Sequence, residues 1–178
     1  MNFRQELTAY AAGDRTADQL PAIAMTGLEE GLDTPSLRIL AGMDKSDNPF
    51  EIEKYFKQML DELHIELADK RQTALDYALV IVDQILTGDE DVITGTHNIF
   101  TVALAKYPFE KETRRYVYDS IGLEKIYGLL DTYSDISEAD IPWHKKKTNQ
   151  ELMDEVRVEL LVELKKWAQV ARRNKDKI

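Results

Sequence analysis

The segment Lys70–Thr87 limits the architecture of this chain more than any other stretch. Wound as a helix, it places Ala74, Leu75, Tyr77, Ala78, Leu79, Val80, Ile81, Val82, Ile85 and Leu86 around most of its circumference. A helix that is apolar nearly all round belongs at the centre of a bundle, with neighbours on every side. The β-branched run Val80-Ile81-Val82 lies inside this longer pattern, and length decides for helix over strand.

Helix punctuation recurs on both sides of this segment. A short amphipathic helix, Asn2–Ala12, ends at Gly13. A second starts near Thr16 or Asp18, tolerates Pro21 only in its first turn, and stops before Gly31. Thr34-Pro35 reads as a cap followed by proline at the first helical position, for a helix over Ser36–Ala41 closed by Gly42. Asn48-Pro49-Phe50-Glu51 repeats the device, and Ile52, Tyr55, Phe56, Met59, Leu60 and Leu63 behind it form one stripe.

After Gly88 the pattern predicts a long helix over Val92–Tyr107, stopped by Pro108. Shorter helices over Glu110–Ser120 and Gly122–Tyr133 follow. A polar loop, 134–147, then precedes a final helix over 148–174. That helix opens with the capping box Thr148-x-x-Glu151 and carries Met153, Val156, Leu160, Leu164, Trp167 and Ala171 as its apolar stripe. Arg172, Arg173, Lys175 and Lys177 gather at its end, where cations complement the helix dipole. No segment reads as a strand. The expected fold is all-α: one domain over 1–178, a bundle of about eight helices with a long C-terminal helix docking on the core of 1–133; the alternative is a projecting C-terminal helix that pairs with another chain. Tyr55, Phe56, Leu60, Leu75, Ile81, Ile85 and Leu86 are its expected core.

Composition removes whole classes of chemistry. The chain has no cysteine, which excludes disulfides, thiolate zinc sites, iron–sulfur clusters and Cys nucleophiles. The opening residues hold no apolar signal run. No stretch reaches the roughly 18 apolar residues of a membrane span, so a cytoplasmic location is expected. Phosphate-loop, dinucleotide-fold and nucleophile-elbow glycine patterns are missing. Asp61 and His64 have ligand-like spacing, yet a di-iron bundle needs a second such pair. Asp89-Glu90-Asp91 starts like a calcium loop, but Ile93 and Thr94 stand where Asp/Asn and Gly are required. His97 and His144 read as surface or capping side chains, and Lys145-Lys146-Lys147 beside Trp143 as a solvated loop. No metal, cofactor or catalytic residue is therefore expected.

Charge is the remaining signal. The net charge is −10, and residues 1–100 alone carry 19 Asp/Glu against 8 Lys/Arg. Such a chain repels nucleic-acid phosphates and anionic lipid, and favours basic partners. Over residues 59–91 nine acids stand against two bases. Asp69, Asp76 and Asp83 recur every seven residues, drifting about 20° per step on one helix face. Asp89, Glu90 and Asp91 continue the run. The candidate partner-binding residues are therefore Asp76, Asp83, Asp89, Glu90 and Asp91; the alternative for this face is a thin solvent-exposed seam, or pairing with Lys or Arg of the same chain. On the final helix Glu151, Glu155, Glu159 and Glu163 follow at i+4 and read as a solvated outer face.

The block Gly31-Leu32-Asp33-Thr34-Pro35-Ser36-Leu37-Arg38-Ile39-Leu40-Ala41-Gly42, followed by Asn48–Leu63 and Gln84–Asp91, resembles a group of uncharacterised bacterial all-helical proteins with a GLDTPSLRxLAG-type motif. The resemblance spans about residues 8–105 and implies an all-helical fold with no established activity. The function expected on these grounds is non-catalytic: an acidic protein that recognises a basic macromolecular partner, as an immunity or regulatory protein would. The alternative is an enzyme or small-molecule binder whose carboxylates meet only in the fold.

Overall fold

Asn2 opens the first helix, α1 (Phe3–Ala12), by accepting from the Gln5 amide at 2.9 Å, while the Gln5 side chain accepts from the Asn2 N–H. The computed structural model describes residues 1–175. A 3₁₀ turn at Ala17–Gln19 leads into α2 (Leu20–Glu29), where Pro21 lies in the first turn. Thr34 caps α3 (Pro35–Ala41) and Asn48 caps α4 (Pro49–Glu62). Then come α5 (Lys70–Thr87), α6 (Val92–Asn98), α7 (Glu124–Glu138) and α8 (Asn149–Lys175). The fold is all-α, with eight α-helices and no strand among the described residues. Lys177 lies outside them.

Backbone contacts divide the chain into two units, Met1–Tyr77 and Ala78–Ile178, and the division falls within α5. The first unit packs Phe3, Leu7, Leu20, Ile23, Leu37, Leu40, Ile52, Phe56 and Met59 into one core. Tyr10 meets Phe56 edge to face at 4.9 Å. Helix α3 has only seven residues, too few to stand alone in water. Its first turn is completed from elsewhere: Glu62 of α4 accepts from the Ser36 N–H at 3.0 Å and the Ser36 hydroxyl at 2.7 Å. The Thr34-Pro35-Ser36 part of the sequence block thus acts as a helix start. Asp61 and His64 belong to a helix stop. His64 adopts φ 52 after α4, its N–H donates to the Asp61 carbonyl, and Ile65 N–H donates to that of Leu60. These two bonds form a Schellman closure, which accounts for the ligand-like spacing.

In the second unit α8 packs along α7. Leu160, Leu164, Trp167 and Ala168 are buried, as are Leu123, Ile126 and Ile136. Lys125 of α7 meets Glu159 at 2.8 Å and Glu163 at 3.0 Å on α8, and the Trp167 indole donates to the Ile121 carbonyl at 2.9 Å. Members of the Glu151–Glu163 series are therefore engaged rather than merely solvated. Glu151 closes the Thr148 capping box and Glu155 pairs with Lys147. Helix α6 passes α5 at Gly95, where an added Cβ would sit 2.5 Å from Ile85 Cγ1. Glycine alone allows that approach.

Four expectations are corrected. The helix from Val92 is α only to Asn98 and continues as a π turn, Ile99–Ala103. Glu110–Ser120 is not an α-helix; it holds 3₁₀ turns at Phe109–Glu112 and, beyond, at Asp119–Ile121. The Asp119 carboxylate accepts from the N–H groups of Arg114, Arg115 and Tyr116, which a helix would turn elsewhere. Helix α7 runs past Tyr133 to Glu138. Buried Ile136 anchors it, and the Ser134 and Ser137 hydroxyls donate to carbonyls of their own helix. Finally, Leu86 is 38% exposed, and Tyr55, Leu60 and Leu75 are only half-buried. Leu86 shares the helix face of Asp76, Leu79 and Asp83, so it lies on the seam and not in the core.

The three amide donors hold the Asp119 carboxyl down at about 2. A carboxylate depressed below its unfolded value of about 3.9 stabilises the fold above that pH and loses the contribution as pH falls towards 2. A carboxyl-detected NMR titration is expected to place the Asp119 midpoint near 2. A midpoint at the ordinary aspartate value would show that the three-amide cradle does not form.

Candidate functional site

The acidic residues are placed by helix mechanics before any function is considered. Asp69 accepts from the N–H groups of Arg71 and Gln72, at 2.8 and 2.9 Å, and so opens α5. Asp76 and Asp83 follow on one face of that helix. Asp76 accepts from the Gln72 side chain at 2.8 Å. At the helix end Gly88 takes φ +83, and the Asp89 and Glu90 N–H groups both donate to the Gln84 carbonyl. Asp89 accepts from the Thr87 hydroxyl at 2.7 Å. Asp91 then caps α6 by accepting from Ile93 and Thr94 N–H at 3.0 and 3.1 Å.

Of the five candidates, Asp76 falls in the first unit and the other four in the second. Within the second unit two of them are met by arginines of α8. Arg172 pairs with Asp83, their side chains 48% and 43% exposed. Arg157 reaches Asp91 at 2.7 Å, at 35% and 48% exposure, while its guanidinium lies 5.5 Å from the centre of the Tyr133 ring. The Arg157 hydrogen bond, reinforced by the Thr94 amide, holds the Asp91 carboxyl below the usual carboxylate range. Exposed pairs of this kind contribute about 0–1 kcal/mol each. Asp89 remains exposed at the turn, and Glu90 is half-buried against the Gly95 side of α6.

Arg157 and Arg172 were not legible as members of this strip. They lie 66 and 89 positions from their carboxylates, and no local spacing announces such a pairing. A second ionic group also escapes the sequence. In the first unit Arg15 pairs with Glu6 at 3.1 Å and with Asp14, and the Tyr77 hydroxyl donates to Asp14 at 2.6 Å. Burial, and then the Asp14 carboxylate, push the Tyr77 phenol well above its ordinary value. The two carboxylates are compensated by the guanidinium and the phenol, so the quartet fastens α1 to the start of α5. A cleft of about 180 Å³ lined by Asn2, Phe3, Arg4, Glu30, Leu32, Leu63 and Ile65 lies in the same unit. It is smaller than the ~300–1,000 Å³ of ordinary ligand pockets.

Among the described residues no group of three or more His, Asp or Glu side chains is arranged to hold a metal. None of the helices searched is long and apolar enough to cross a membrane. Compared with family models, curated proteins and solved structures, the chain finds no match.

Proposed function

We propose that this chain is a non-catalytic acidic binding protein of the cytoplasm that receives a basic protein partner on the Asp83–Asp91 strip, as an immunity or regulatory protein does. The observation that carries the reading is the pairing of Asp83 and Asp91 with Arg172 and Arg157 in exposed positions. The strip already accepts guanidinium groups, and it holds them by contacts weak enough to be exchanged. Asp89 adds a carboxylate that no described cation engages. Concentrated like charge speeds encounter with an opposite surface and selects against wrong ones.

The enzyme alternative has less support. The quartet of Glu6, Asp14, Arg15 and Tyr77 is internally satisfied. The test of the binding reading replaces Asp83 and Asp89 with Asn. The fold is expected to survive nearly intact. A pull-down from the native host should retain basic proteins with the wild type and lose them with the variant. Association rates of a retained partner should fall for the variant, and more so at low salt, because steering acts on the on-rate. Equal retention and equal rates at both salts would sink the reading.

A further inference from the structure

Helix α8 has a second face that its packing along α7 leaves exposed among the described residues. Leu160, Leu164, Trp167 and Ala168 are buried on one side, whereas Val158, Leu161 and Val162 are 63%, 37% and 46% exposed on the other. A single exposed aliphatic residue needs no explanation, but three at i, i+3 and i+4 make a contiguous apolar patch. The charges flanking the patch are ordered. Asp154 and Glu155 lie one turn before it, and Lys165 and Lys166 one turn after it. All four are exposed. About residue 160 the arrangement is symmetric: Glu155 and Lys165 are each five residues away, and Asp154 and Lys166 each six.

We propose that α8 pairs antiparallel with α8 of a second copy of this chain, about a two-fold axis at Val158–Val162. A two-fold interface lays one patch on itself with its direction reversed, so that residue i meets j and j meets i. Reversal sets Asp154 and Glu155 of each copy against Lys165 and Lys166 of the other, twice over. A parallel pairing would oppose like charges and is selected against. The internal partners of these residues do not prevent the exchange. Glu155 pairs with Lys147 at the surface, Asp154 accepts from the Gln150 side chain at 2.9 Å, and the exposed Lys166 meets the partly buried Glu163 at 2.9 Å. No residue of the Asp83–Asp91 strip takes part in this pairing.

Three aliphatic side chains form a small apolar centre, so the dimer is weak, with a midpoint of order ~100 μM. Sedimentation of the full chain at low salt should show monomer passing to dimer as concentration rises. Lys165→Glu with Lys166→Glu, and separately Asp154→Lys with Glu155→Lys, should each weaken self-association at least about tenfold. Mixing the two variants should restore a dimer, now between unlike copies, because each reversed end meets a reversed end. Val158→Asp, at a position the fold leaves exposed, should abolish the dimer without changing the circular dichroism. It decides the matter alone if a charge-reversed variant fails to fold. A wild type that stays monomeric at every concentration would overturn the proposal. So would a dimer indifferent to Val158→Asp, or folded charge-reversed variants that show no recovery on mixing.

Discussion

Trp167→Ala is expected to lower the unfolding free energy by about 3–5 kcal/mol, the range for removing a large aromatic from a core. Trp167 is 7% exposed and lies in α8 between buried Leu164 and Ala168. Two losses coincide. The indole leaves a void where α8 packs, and the Ile121 carbonyl loses the donor that reaches it at 2.9 Å. Trp167→Phe separates them, since it keeps much of the volume and removes the N–H. It should cost about 1–3 kcal/mol, the penalty of a stranded acceptor. Urea unfolding measures both, with the slope expected to stay constant. A loss under about 1 kcal/mol for the alanine variant would mean that α8 is not held along α7 as described.

Ile81→Ala should cost about 2–5 kcal/mol. Ile81 is 3% exposed and stands between Val80 at 8% and Val82 at 0%, so little room exists for neighbours to relax. Leu86→Ala is the control on the same helix. Leu86 is 38% exposed, and its truncation should fall within about 0.5–1 kcal/mol. The contrast tests which side of α5 is buried. Equal losses at the two positions would mean that the helix is rotated from the orientation described.

The helix ends of the first unit could be read almost to the residue because their signals are local. Asn2 with Gln5, Thr34 with Pro35, and Asn48 with Pro49 each act within four residues. The segment after Asn98 misled for the opposite reason. Its periodicity is helical, but the π turn at Ile99–Ala103 and the Asp119 carboxylate redirect backbone groups that a helix would use. Leu86 misled because apolar content alone does not say which face is covered. Of the candidate strip, the acidic residues were visible as a charge run, but the capping of α6 by Asp91 was not read from it. Their arginine partners were not visible, since helices meeting through the fold leave no mark at fixed sequence spacing. The quartet of Glu6, Asp14, Arg15 and Tyr77 was hidden likewise, its hydrogen bond from Tyr77 spanning 63 positions.

The cap that Glu62 places on Ser36 also orders events during synthesis. Helix α3 leaves the ribosome 26 residues before the carboxylate that completes its first turn. At about 5–20 residues per second the delay is roughly 1–5 s. Throughout that interval the nascent chain exposes Leu37 and Leu40, side chains that end wholly buried, without the anchor that fixes them. The nascent unit therefore passes through a window in which α3 is open to chaperones and to neighbouring chains. A change at Glu62 would keep that window open after release, and would reach the cell as lost yield of soluble protein.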